Sequence, residues 1–159
     1  AINMVEQTGC DAVVIGRGCL GRPWLFSDLE AAFAGRTDLA LPTLGDVAVI
    51  MKRHAVLLGD WLGEERGCIE FRKHISWYLK GFRAGHLVRD NLGKVSSFGQ
   101  LDELLALLDP SEEFPRAVLG APRGRQGTPK KVALPEGWLN DRESPAWIDP
   151  AAELNVSGG

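Results

Sequence analysis

Residues 9–26 read GCDAVVIGRGCLGRPWLF, and this stretch predicts the fold class. Residues 12–15 are apolar throughout, as expected of a parallel strand that is buried on both faces. Pro23 suits the first turn of a helix, which the pattern predicts over residues 24–34. The loop between strand and helix contains three glycines, Gly16, Gly18 and Gly21. The order of strand, glycine loop and helix is typical of α/β folds.

The glycine loop is a candidate phosphate site. Glycines after a parallel strand let backbone N–H groups approach an anion, and the next helix directs its positive end toward it. Gly16 and Arg17 are the candidate residues, because the Arg17 guanidinium can add a charge-assisted contact. A tight turn that only packs the helix against the strand explains the same spacing. No acidic residue on a second strand completes a dinucleotide-binding fingerprint.

Residues 41–109 predict a small all-α bundle. Thr43 is the predicted N-cap of a long amphipathic helix that stops at Gly63. Three more helices are predicted, over about residues 65–80, 84–95 and 97–108. Residues 110–159 hold seven of the nine prolines. This composition predicts an extended or disordered tail, which Trp138 and Trp147 are expected to dock onto the body.

The second predicted helix of the bundle carries a cationic ridge. Arg66, Lys73 and Lys80 recur every seven residues and therefore share one sector of a helix. From residue 66 to residue 94 there are seven lysines and arginines against two acidic residues, whereas the whole chain has a formal charge of −3. Such a ridge with an aromatic side chain suits RNA, and a solvated helix face explains it equally. The candidate RNA-binding residues are Arg66, Arg72, Lys73, His74, Trp77 and Lys80.

Composition excludes several classes of protein. With 45% hydrophobic residues, the 159-residue chain can build a core, so global disorder is excluded. We expect no membrane span and no secretion signal, because no long apolar run is present. Three unpaired cysteines and three scattered histidines predict neither disulfides nor a metal site, which favours a reducing cytoplasm. No catalytic set of side chains is recognisable. The opening AINMVEQTG lacks an initiator methionine and begins within a predicted helix, so we expect a fragment.

Two stretches together resemble one enzyme family. Residues 9–26 resemble the last barrel strand of bacterial tRNA-dihydrouridine synthases, whose pattern is close to GADAVMIGRGALGRPWLF. The sequence RKHISWYLKG at residues 72–81 resembles a signature of the same family's C-terminal helical domain. The two occur in the family's order and separation, and the resemblance covers about residues 1–109.

The resemblance implies a fold and a function. It implies an FMN-binding (β/α)8 TIM barrel, of which residues 1–40 are the end, followed by a helical tRNA-binding domain at residues 41–109. The family reduces uridine in tRNA to 5,6-dihydrouridine with FMN, which NADPH or NADH recharges. Gly16 and Arg17 match the positions that hold the FMN phosphate.

The departure from the family pattern is large. The catalytic cysteine and most barrel strands precede this part of the family sequence, so the chain alone is expected to be inactive. Two other readings stay open. One is a stand-alone RNA-binding helical module without catalysis, and the other is the end of a different FMN oxidoreductase barrel.

Overall fold

Six helices and two short 3-10 turns make up the described part of the chain. The structure is a computed structural model that describes residues 1–36, 41–121 and 123. The helices are α1 (Ile2–Thr8), α2 (Leu25–Phe33), α3 (Leu44–Leu62), α4 (Glu64–Tyr78), α5 (His86–Leu92) and α6 (Phe98–Leu105). The 3-10 turns cover Arg17–Cys19 and Arg116–Val118. Each predicted helix is present, with its ends shifted by a few residues.

Local capping explains where the helices begin and end. The Thr43 hydroxyl accepts a hydrogen bond from the Asp46 N–H, and the Asp46 carboxylate accepts one from the Thr43 N–H, which forms the reciprocal N-cap of α3. The Ser97 hydroxyl caps α6 by accepting from the Gln100 N–H. Gly9 ends α1 with a φ of 65°, a left-handed conformation that favours glycine.

The core lies between α3 and α4 and is closed by the later helices. Phe71, Met51 and Leu44 are its largest fully buried side chains. Leu101 of α6 and Leu108 beyond its end are buried, while Leu104 and Leu105 pack at the edge of the core. Helices α1 and α2 contribute no fully buried residue. The hydrophobic energy therefore resides in the helical bundle rather than in the first 36 residues.

The predicted strand over residues 12–15 is not formed. Within the described part of the chain, these residues have neither helical nor strand hydrogen bonding, and the Val14 side chain is 95% exposed. A strand needs a neighbouring strand for its backbone hydrogen bonds, and residues 1–36 provide none. The α/β prediction is thus corrected here to a helical structure with an unpaired apolar segment.

The core extends past the predicted boundary at residue 109. Phe114 is 6% exposed and makes edge-to-face contacts with Phe82 at 5.6 Å and Trp24 at 6.1 Å between ring centroids. The Leu44 N–H also donates to the Glu112 carbonyl at 2.8 Å. The first part of the predicted tail therefore packs on the bundle. The remainder, with Trp138 and Trp147, lies outside the described residues.

Candidate functional site

The candidate phosphate loop is an open turn at the surface. Gly16 precedes the 3-10 turn Arg17–Cys19, and its carbonyl accepts hydrogen bonds from the Cys19 N–H at 3.4 Å and the Cys19 thiol at 3.1 Å. Gly16 and Arg17 are both exposed. A Cβ built on Gly16 would meet no atom within 4 Å, so the backbone there is open to a ligand. The structure thus keeps both predicted residues accessible and adjacent.

The end of the glycine loop packs directly on α4. A Cβ on Gly21, whose φ is 61°, would come within 2.3 Å of the Trp77 carbonyl carbon. Arg123 reinforces this contact, because its Nη1 donates to the carbonyls of Leu20 at 3.2 Å and Trp77 at 3.0 Å. Arg123 is only 8% exposed. Close backbone packing and one buried guanidinium therefore hold the loop against the helix that carries the cationic ridge.

Two of the predicted ridge cations, Arg66 and Lys73, lie on α4 and are partly neutralised by an acidic side chain. Arg66 and Lys73 both have well-exposed side chains, and both pair with Glu70. The Arg66–Glu70 distance is 2.8 Å. The hydrogen bond from Lys73 is the main reason why the pKa of Glu70 lies below its ordinary value. Both cationic side chains remain exposed to solvent, where a polyanion can contact them.

Arg72 donates hydrogen bonds to the backbone of a neighbouring segment. Its Nε donates to the Val95 carbonyl and its Nη2 to the Lys94 carbonyl, both at 2.8 Å. These bonds tie α4 to the segment that joins α5 and α6. Its predicted contact with RNA stays a prediction, and the geometry assigns it a structural role in addition.

The last residues of the ridge lie at and beyond the end of α4. The helix stops at Tyr78, so half-buried Lys80 follows in a turn rather than extending the helical sector. Trp77 is half-buried and packs edge-to-face on His74 at 5.3 Å between ring centroids. The predicted exposed aromatic is therefore partly covered.

A cavity that the sequence did not reveal lies where the glycine loop meets α3 and α4. Its volume is about 380 Å³. The His54 ring lies 4.5 Å from the His74 ring between centroids and shares a 3.1 Å hydrogen bond with the Tyr78 hydroxyl. The lining residues are Cys19, Leu20, Gly21, Pro23, Ile50, Arg53, His54, Leu57, His74 and Tyr78.

Burial shifts the pKa values of the titratable groups that line this cavity. It lowers the pKa of His54, and the neighbouring His74 lowers it further. It lowers the pKa of His74 as well, with the Lys73 charge acting in the same direction and Glu70 opposing it. Burial raises the pKa of Tyr78 to about 12. Near neutral pH the cavity therefore presents two uncharged imidazoles and a phenol, each able to donate and accept a hydrogen bond.

Comparison with known proteins identifies the family. The sequence model described as "Dihydrouridine synthase (Dus)" matches residues 1–117. The chain belongs to the dihydrouridine synthase family. A "Probable tRNA-dihydrouridine synthase" of Mycobacterium tuberculosis (strain CDC 1551 / Oshkosh) is 52% identical over all 159 residues, and one of Mycobacterium leprae (strain TN) is also 52% identical. These residues make up 40% and 41% of the two relatives. A "tRNA-dihydrouridine synthase B" of Pasteurella multocida (strain Pm70) is 32% identical over 104 residues, or 65% of this chain and 31% of that protein.

The family match confirms the resemblance drawn from the two motifs. This dihydrouridine synthase chain spans about 40% of the length of the mycobacterial relatives that it matches. In the described residues, no helix is long and apolar enough to cross a membrane. The same part of the chain holds no cluster of three or more potential metal ligands.

Sequence reasoning missed the cavity because its residues are far apart in the chain. His54 lies on α3 and is not among the candidate site residues that the sequence predicts. His74 was expected only as an RNA contact. The register between α3 and α4 brings the two rings together, and no spacing within either helix predicts that register. Arg123 lies within residues 110–159, for which the composition predicts an extended or disordered tail.

Proposed function

We propose that the chain is the C-terminal part of a tRNA-dihydrouridine synthase, which reduces uridine in tRNA to 5,6-dihydrouridine with FMN and NAD(P)H. The observation that carries the proposal is the family match together with the juxtaposition of the glycine loop and the ridge helix at Gly21 and Trp77. The names of the relatives supply the substrate class, which is tRNA. The helical unit then acts as the part that holds RNA.

Gly16 and Arg17 fit the phosphate end of FMN. The Gly16 backbone is approachable, since no atom occupies the position of its missing side chain, and the Arg17 cation is exposed beside it. Bound FMN would supply hydride transfer to the pyrimidine ring. The chain's own residues would hold only the anionic end of this cofactor. The chain alone is therefore proposed to be inactive.

The ridge residues supply the proposed contacts with tRNA. Arg66 and Lys73 extend into solvent, where they can release counterions from RNA phosphates. His74 contacts Trp77 on α4 and lines the cavity, and Lys80 follows the end of the helix. Phosphate contacts of this kind position an RNA without reading its sequence.

Two variants in a longer protein that carries the upstream barrel test both halves of the proposal and serve as each other's control. Arg17→Ala should lose most of the bound flavin, measured by absorbance of the purified protein, and keep the salt dependence of tRNA binding. Lys73→Gln with Lys80→Gln should keep the flavin and reduce the slope of log K against log salt by about 2.

Each half of the proposal has its own contrary result. Full flavin occupancy in Arg17→Ala would remove the phosphate role of the loop. An unchanged salt slope in the double variant would remove the ridge from the RNA interface. Retained tRNA binding by a longer protein that never binds flavin would favour the alternative, a helical RNA-binding module without catalysis.

A further inference from the structure

The cavity between the glycine loop, α3 and α4 has the make-up of a small-molecule site. A volume of about 380 Å³ lies within the range of natural ligand pockets. Most of its wall is apolar and comes from Leu20, Pro23, Ile50 and Leu57. The polar groups gather on the side of α4, where His74 and Tyr78 face His54. A flat, largely apolar ligand with polar edges fits this division.

The imidazoles still have hydrogen-bonding capacity to offer. Among the described residues, Nδ1 of His54 is bonded to the Tyr78 hydroxyl, and neither His54 Nε2 nor the two nitrogens of His74 has a hydrogen-bond partner. An uncharged imidazole presents one donor and one acceptor. This pair of functions complements the alternating N–H and C=O groups along the edge of a nucleobase.

The cavity is continuous with the cationic ridge. His74 lines the cavity and follows Lys73 in α4, and its ring also contacts Trp77. The exposed Arg53 of α3 adds a cation to the cavity wall. A phosphate backbone bound at Lys73 and Arg53 would therefore lie close to the cavity that His74 lines.

We propose that this cavity receives one unstacked nucleobase of the bound RNA, held between the apolar wall and the His54–His74 pair, with Arg53 contacting a phosphate. The inference rests on the proposed function, since it assumes that α4 faces tRNA. It adds a base-binding site between α3, α4 and the end of the glycine loop, at residues other than the proposed flavin-phosphate positions Gly16 and Arg17.

A cavity-filling variant tests the site in the full 159-residue chain. Leu57 lines the cavity and is 49% exposed, so Leu57→Trp can fill the space without disturbing the core. Affinity for an unmodified tRNA transcript should fall at least roughly fivefold, as for the loss of one stacked base, with an unchanged salt slope because no cation is removed. Val49→Trp is the matched control, since Val49 is 71% exposed on the same helix outside the cavity, and its affinity should stay within about twofold.

The two proposals fail in different ways. Wild-type affinity in Leu57→Trp would overturn the base site and leave the proposed RNA role of the ridge intact. Failure of the wild-type chain to bind tRNA would overturn both.

A titration of the wild-type chain decides the question even if Leu57→Trp does not fold. The imidazole NMR signals of His54 and His74 should shift on addition of uridine 5′-monophosphate or adenosine 5′-monophosphate, while those of the exposed His86 stay in place. Ribose 5-phosphate controls for the phosphate. Equal shifts with ribose 5-phosphate would reduce the site to an anion contact, and no shift with either nucleotide would also overturn the proposal. Signals that no longer respond once upstream polypeptide is present would mean that this polypeptide fills the cavity, which contradicts the proposal too.

Discussion

Gly21 shows how a single missing side chain joins two parts of the molecule. Its backbone touches the Trp77–Tyr78 peptide of α4, and its φ of 61° is one that other residues adopt at a cost. Gly35 also has a positive φ, of 75°, but a Cβ there would meet no atom within 4 Å. Substitution of Gly35 therefore tests backbone strain alone, whereas substitution of Gly21 tests strain together with a steric clash.

Gly21→Ala is expected to lower the free energy of unfolding by about 3 kcal/mol or more, since overpacking adds to the left-handed strain. Gly35→Ala should cost only about 1–2 kcal/mol, because it suffers the strain alone. Urea unfolding followed by circular dichroism measures both. Equal losses in the two variants would show that the Gly21–Trp77 contact is loose in solution.

At the scale of elements, α4 joins several parts of the described chain. It shares the core with α3, supports the glycine loop at Trp77 and reaches the α5–α6 connection through Arg72. Its outer face carries Arg66 and Lys73. One helix thus combines a buried face that sets its position and an exposed face on which Arg66 and Lys73 pair with Glu70.

Arg72→Ala is expected to destabilise the chain by about 2 kcal/mol, because the Val95 carbonyl, in a part-buried bond, and the exposed Lys94 carbonyl both lose a charged donor. Arg66→Ala is the control on the same helix. It breaks an exposed ion pair and should cost about 0–1 kcal/mol. Thermal and urea unfolding give both values. A cost for Arg72→Ala no larger than that of the control would contradict the assigned bridging role.

At the scale of the whole molecule, the first 36 residues have few buried side chains and few tertiary hydrogen bonds. Residues 12–15 have no backbone hydrogen-bond partner for their N–H groups among the described residues, and Val14 is exposed. A groove of about 340 Å³ lies between α1, this segment and α2, lined mainly by apolar side chains such as Val13, Leu29 and Phe33. An apolar segment of this kind leaves its backbone groups available for pairing with another strand.

Hydrogen exchange should separate the two regions. Amides of residues 12–15 are expected to exchange at nearly intrinsic rates, while those near Met51 in α3 exchange only through global unfolding. In a longer protein that carries the proposed upstream barrel, residues 12–15 should become protected. Strong protection in the 159-residue chain alone would mean that a second copy or another segment supplies the missing strand partner.

Local information accounts for most of the secondary structure and for the family. The caps at Thr43, Ser97 and Gly9 and the apolar stripe of α3 act within a few residues, so their helices could be predicted with good limits. The two motifs also identify the dihydrouridine synthase family without a structure. The strand at residues 12–15 could not be settled in this way, because a strand depends on partners elsewhere.

Tertiary packing decided the features that depend on distance in space. The pairing of His54 with His74, the buried position of Arg123 and the inclusion of Phe114 in the core join residues that are 20 or more positions apart or lie in a proline-rich stretch. Periodicity places a side chain on one face of its own helix and carries no information about which other helix meets that face, or in which register. The cavity exists only because three elements converge, and for that reason it appears in the structure alone.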